Sequence, residues 1–144
     1  MTTDLIERYA RPAPRYTSYP TANHFTAAIR PLHYVDWLAA LPAGSELSLY
    51  LHIPFCQSLC WYCACTTKGA RRYEPVARYV DTLATEIGTV AGLLPGRAPA
   101  GHIHWGGGSP SILEPRDILR LADLLARHFD IRPGAEHAVE IDPR

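Results

Sequence analysis

The sequence has no excess of charge, no long apolar run, no internal repeat, and no cysteine outside a single ten-residue window. Each absence excludes a class of protein. Fourteen basic residues balance fourteen acidic ones, so no basic field is present to draw nucleic acid or an anionic membrane. No apolar stretch approaches the roughly 20 residues needed to cross a bilayer. The opening MTTDLIERYARPAPRY carries two acids and lacks an apolar core, so it is not read as a secretory signal. The expected compartment is the reducing cytoplasm, where disulfides are rare.

What is present is a globular composition: 144 residues, 47% apolar and 19% charged, enough for one modest core. Residues 1–30 hold Pro12, Pro14 and Pro20 and are expected to be an irregular arm, because proline drives its predecessor out of the α region. A short helix is expected over 31–41. ELSLYLHI (46–53) alternates strictly and predicts a strand, with Leu47, Leu49, Leu51 and Ile53 on one face and Ser48, Tyr50 and His52 on the other. Apolar residues at helical spacing predict a helix over 74–94, stopped by Pro95 and Gly96. HIHW (102–105) reads as a second strand. A second helix starts near Pro115, with Ile118, Leu121, Leu125 and Phe129 as its apolar face. HAVEI (137–141) reads as a third strand.

Strand, helix, strand, helix, strand implies parallel strands joined by helical crossovers, an α/β architecture. Three strands cannot close a barrel, since eight βα units take about 250 residues. The chain is therefore expected to be a fragment, either a truncated product or one piece of a longer polypeptide. Its parts divide into an arm with a short helix (1–45) and an incomplete core (46–144).

The four cysteines are Cys56, Cys60, Cys63 and Cys65. Clustered thiols in a cytosolic chain point to a metal or catalytic site. The first three have the spacing C-x3-C-x2-C, and thiolates suit iron–sulfur clusters. Three ligands in one short loop would leave a fourth iron open to a small chelating molecule. Spacing alone also admits a four-thiolate zinc site, although structural zinc usually pairs two separated cysteine knuckles. The cysteine loop, the GGGSP run after the second strand, and Glu140 all fall at the C-terminal ends of predicted strands, where parallel α/β folds gather functional groups. A glycine triplet allows close backbone approach, though by itself it is often only a turn. An acid in a buried strand needs a partner.

C-x3-C-x2-C with an aromatic before the last cysteine resembles the radical S-adenosylmethionine (SAM) signature. YLHIPFCQSLCWYCAC, HWGGGSP, EIDPR and the early PRYTSYPTA together resemble the oxygen-independent coproporphyrinogen III oxidases, over nearly the whole chain. The implied fold is the first three βα units of a radical-SAM partial TIM-type barrel. The fourth cysteine is not a cluster ligand in that family, so the resemblance implies a 4Fe–4S cluster on Cys56, Cys60 and Cys63. It further implies SAM contacts from Tyr50, Tyr62, Gly107, Gly108, Ser109 and Glu140, with the glycine loop at the amino group and Glu140 at the ribose hydroxyls. Ser109 replaces the family's usual threonine and keeps the hydroxyl. Trp61 could share the stacking work of Tyr62. Other histidines than His52 are expected to be structural or exposed.

The activity implied is decarboxylation of two propionate side chains of coproporphyrinogen III to vinyl groups, giving protoporphyrinogen IX in haem biosynthesis. A radical derived from SAM starts the reaction, and a one-electron reductant such as flavodoxin or ferredoxin feeds the cluster. No nucleic-acid or membrane partner and a monomeric state are expected. Haem-chaperone-like relatives share HIPFC and GGG but lack Cys65 and the PRYTSYPTA arm. They remain the alternative, beside a zinc-binding structural module. The resemblance implies that further SAM contacts and the rest of the barrel lie beyond Arg144.

Overall fold

The computed structural model describes residues 3–10 and 19–144. Contacts divide the chain into two compact units, Met1–His33 and Tyr34–Arg144. In the first unit, Thr3–Tyr9 is a helix, α1. The irregular arm expected over 1–30 is thus corrected at its start. TDLIERY precedes the first proline, and Asp4 in the first turn and Arg8 in the last complement the helix dipole. A single 3-10 turn follows at Ala22–His24, and the Tyr19–Pro20 peptide is cis. Most of PRYTSYPTA lies outside the described residues. Helix α2 spans Pro31–Ala39 and buries no residue.

The second unit is built on parallel strands. β1 is Leu47–Ile53, followed at once by the two-residue strand β2, Phe55–Cys56, which pairs with β3, Lys68–Gly69. Helix α3 (Glu74–Leu93) leads to β4 (Pro99–Gly107), and α4 (Pro115–His128) leads to β5 (Asp130–Val139). The main sheet has the order β1-β4-β5, all parallel, with Tyr50 beside His104 and Ile53 beside Gly107.

Alternation along β1 separates two faces. Leu51 and Ile53 are buried against Val76, Val80, Leu83 and Ile87 of α3 and Leu121 and Leu125 of α4. The opposite face carries Tyr50, His52, His102 and His104. Burying four fully enclosed side chains (Ile53, Val76, Val80 and Leu121) contributes about 1.5–3 kcal/mol each.

Three expectations shift: β4 runs from Pro99 to Gly107, beyond HIHW at both ends, because both flanks also pair with β1 or β5. β5 starts seven residues earlier than HAVEI suggested and ends at Val139, so Glu140 sits just past the strand. The Pro133-Gly134 pair hides the early part. It forms a bulge, where pairing jumps from Ala100↔Ile131 to His102↔Glu136 and Gly134 takes φ +80°. On α4, Ile118 is partly exposed and Asp117 is buried in its stead. The reason is a polar one: the Tyr73 hydroxyl donates to the Asp117 carboxylate, which satisfies a group that could not otherwise be buried.

Candidate functional site

Three strand ends meet because they are parallel and in register. Gly108 N–H donates to Ile53 O (2.9 Å), Ser109 N–H to Phe55 O (2.8 Å), and Glu140 N–H to Trp105 O (2.9 Å). The cysteine loop leaves this end of the sheet and is closed at its base by the β2–β3 bridge, through Lys68 N–H to Pro54 O and Ala70 N–H to Cys56 O. The result is a cavity of about 390 Å³ whose wall includes Cys56, Cys60, Tyr62, Cys63, Gly107, Gly108, Ser109 and Glu140. Every site residue expected from sequence except Tyr50 lines it. Tyr50 stands one residue away, packed edge-on against His104 with ring centroids 5.4 Å apart.

Cys56 is buried; Cys60, Cys63 and Cys65 are exposed, and none is in a disulfide. Ser109 Oγ donates to Cys56 Sγ (3.6 Å), and Thr67 Oγ1 lies 3.5 Å from the same sulfur. Arg144 Nη2 donates to Ser58 O (3.1 Å) and to Cys60 Sγ (3.5 Å). These contacts set a hydroxyl donor on the Cys56 sulfur and a guanidinium donor on the Cys60 sulfur. Arg144 also holds the Asp142 carboxyl down at about 2, chiefly through their hydrogen bond. The Cys65 thiol is pushed up, first by the adjacent Cys63.

Among the described residues, no three His, Cys, Asp or Glu side chains converge to hold a single metal ion. Four free thiols in one loop are soft donors, the chemistry that structural zinc and iron–sulfur clusters both use. The donor set, soft sulfur with hydroxyl donors behind it, also suits iron–sulfur ligation.

The glycine triplet has a steric cause the sequence did not disclose. A Cβ on Gly106 would stand 2.6 Å from Glu140 Oε1 and 2.9 Å from Tyr50 Cε2. One on Gly107, at φ +104°, would meet the His52 ring at 2.5 Å; one on Gly108 would meet Phe55 O at 2.5 Å. The run makes room for the protein's own polar groups at the rim of the cavity.

Those groups form a connected set. His52 Nε2 lies 3.1 Å from Thr66 O. A carbonyl only accepts, so Nε2 carries the proton and Nδ1 accepts from Tyr50 OH at 3.1 Å. The Tyr50 phenol is raised by burial first, then by the charge of Glu140. Glu140 is half-exposed, not buried. Gly107 N–H donates to its Oε2 (3.0 Å) and His104 Nε2 lies 3.1 Å from its Oε1. His104, Thr67 and Arg144 are the site residues that sequence reasoning missed. The available signal was parity: His104 shares the face of His102, opposite Ile103 and Trp105.

The parallel sheet with a cysteine loop at its C-terminal end is part of a radical SAM fold. The structure matches a solved Escherichia coli protein, described as coproporphyrinogen III oxidase (HemN), a radical SAM enzyme, with a TM-score of 0.83 and 36% identity. That match covers 97% of this chain and 30% of that one. By sequence the chain is a homologue of the oxygen-independent coproporphyrinogen III oxidases. It is 48% identical to the Bradyrhizobium diazoefficiens protein over 145 residues, all of this chain and 32% of the relative. It is 47% identical to the Paracoccus denitrificans protein over 131 residues, 90% of this chain and 29% of the relative. The chain thus spans about a third of the length of the curated relatives it matches. No family model matches it.

Proposed function

We propose that this chain is the cluster- and SAM-binding part of an oxygen-independent coproporphyrinogen III oxidase, an enzyme of haem biosynthesis. The observation that supports this most is the single cavity into which three strand ends bring three cysteines, a glycine-lined backbone and a fixed carboxylate. In this reading Cys56, Cys60 and Cys63 hold a 4Fe–4S cluster, and residues 46–144 carry the site. Tyr50, Tyr62, Gly107, Gly108, Ser109 and Glu140 contact SAM. When bound, the cluster and SAM supply one-electron cleavage of a sulfonium C–S bond, used on the propionates of coproporphyrinogen III.

The chain's own residues bind and orient. Ser109 and Thr67 hold Cys56 on the inner wall, and Arg144 sets a positive charge beside Cys60. Glu140, fixed through both oxygens, keeps free lone pairs for ligand hydroxyls. The exposed rings of Trp61 and Tyr62 offer π-faces to an adenine or a sulfonium. The partners proposed are coproporphyrinogen III and a one-electron donor such as flavodoxin or ferredoxin, with a monomer acting in the cytoplasm. No helix among the described residues is long and apolar enough to cross a membrane.

The test is anaerobic reconstitution with iron and sulfide, followed by metal analysis and electron paramagnetic resonance of the reduced protein with and without SAM. The expected result is a cubane signal that SAM shifts. Zinc without iron or sulfide, or a cluster signal indifferent to SAM, overturns the reading.

A further inference from the structure

We infer that His104 is a positioning residue that locks the Glu140 carboxylate in one orientation at the cavity rim. This role rests on the reading of Glu140 as a SAM contact; the geometry behind it does not. Glu140 follows β5 and hangs on β4 by three separate bonds. Its backbone N–H donates to Trp105 O at 2.9 Å. Gly107 N–H reaches Oε2 at 3.0 Å, and His104 Nε2 reaches Oε1 at 3.1 Å. An ionised carboxylate only accepts, so the His104 proton sits on Nε2 and is donated.

The imidazole is itself steadied. Tyr50, its register partner on β1, meets it edge-on at an interplanar angle of 67°. The carboxylate lies against β4 where Gly106 has no side chain, since a Cβ there would stand 2.6 Å from Oε1. A surface glutamate ordinarily samples several rotamers, and that freedom is lost when it grips a ligand. Here the two donors restrict it beforehand. Two of roughly four carboxylate acceptor sites are used, which leaves the others to receive hydroxyl donors from a sugar-like ligand. At 44% and 48% side-chain exposure, the pair is open enough to be reached and sheltered enough to be ordered.

The Gly107 amide is a reporter of the lock, because its N–H is bonded to the same carboxylate. The experiment compares its 1H–15N resonance in the full 144-residue chain as wild type, E140Q, H104A, H104F and H104Q. H104F keeps a ring against Tyr50 without the donor. H104Q restores a donor. Unchanged amide resonances of Ile53 and Leu121, both fully buried, identify folded variants. SAM retention by the reconstituted chain is measured by equilibrium dialysis on the same set and on the double variant H104F/E140Q.

The expected result is that H104A and H104F move the Gly107 resonance as E140Q does, while H104Q leaves it near the wild-type position. SAM binding should weaken about tenfold in H104F, recover in H104Q, and show no added loss from H104F when E140Q is present. A Gly107 resonance unmoved in folded H104A or H104F overturns the lock, whatever SAM does. Equal loss of SAM from H104F with and without E140Q overturns action through Glu140. A wild-type chain that carries a cluster yet retains no SAM overturns the SAM reading, and this role for His104 with it.

Discussion

Individual residues at the cavity separate ligands from neighbours. Cys60 and Cys65 are both exposed and five residues apart, but only Cys60 is proposed to bind iron. In Cys60→Ser, cluster iron measured after anaerobic reconstitution should fall to background; in Cys65→Ser it should stay close to wild type. Equal loss in both would refute the assignment. The glycines divide in the same way. Gly107 combines φ +104° with an imidazole 2.5 Å from any Cβ, whereas Gly92 in α3 has open space around it. Gly107→Ala should therefore cost about 2 kcal/mol or more in urea unfolding and displace His52. Gly92→Ala should be neutral or stabilising by up to about 1 kcal/mol, because alanine is the better helix former. Comparable destabilisation by both would show that backbone freedom at Gly107 is unimportant.

At the scale of elements, the starts of the two crossover helices are tied by one phenol. Tyr73, at the N-cap of α3, donates to Asp117 of α4 and accepts from the Glu114 N–H, at 2.9 Å, where α4 begins. Tyr73→Phe should destabilise the protein by about 1–2 kcal/mol, since it strands a buried carboxylate and an N-cap N–H. Burial, helped by the bond to Asp117, raises this phenol to about 12 from an ordinary value of 10. The native state then keeps the proton that the unfolded chain releases near pH 10. Stability linked to Tyr73 is complete below pH 10 and is lost as pH rises towards 12. The urea midpoint should drop across that window in the wild type, and less steeply in Tyr73→Phe; equal slopes would show that Tyr73 does not titrate in this way.

Among the described residues, the fully packed apolar side chains lie in one place. The buried core runs from Leu51 to Phe129, entirely within the second unit. Deleting residues 1–33 should leave a cooperative thermal transition, with the midpoint displaced by no more than about 5 °C. A non-cooperative melt would show that the first unit is needed to order the core. Among the described residues, β1 and β5 are the edges of the main sheet, and Tyr50, His52 and His104 share one of its faces. In relatives three times as long, further chain is available to meet such edges.

Much of this was legible in the letters. Strict alternation marked β1 and helical spacing marked α3 and α4; HIHW and HAVEI were read as the other two strands of the main sheet, parallel order followed from the succession of elements, and the short β2–β3 pair was not foreseen. The cysteine spacing, the glycine run and Glu140 were each visible, as was their common placement at strand ends. Those features depend on local pattern, which a linear sequence records. The extent of β5 was not legible, because a bulge at Pro133-Gly134 resembles a turn until a neighbouring strand supplies its register. The burial of Asp117 depended on a tyrosine 44 positions away. His104 gained its meaning in the same way: alternation set the face it occupies, but only pairing of β4 with β1 and β5 brought Tyr50 and Glu140 to it. Hydrogen bonds and steric exclusion act over about 3 Å, and only the folded chain determines which distant residues come within that range.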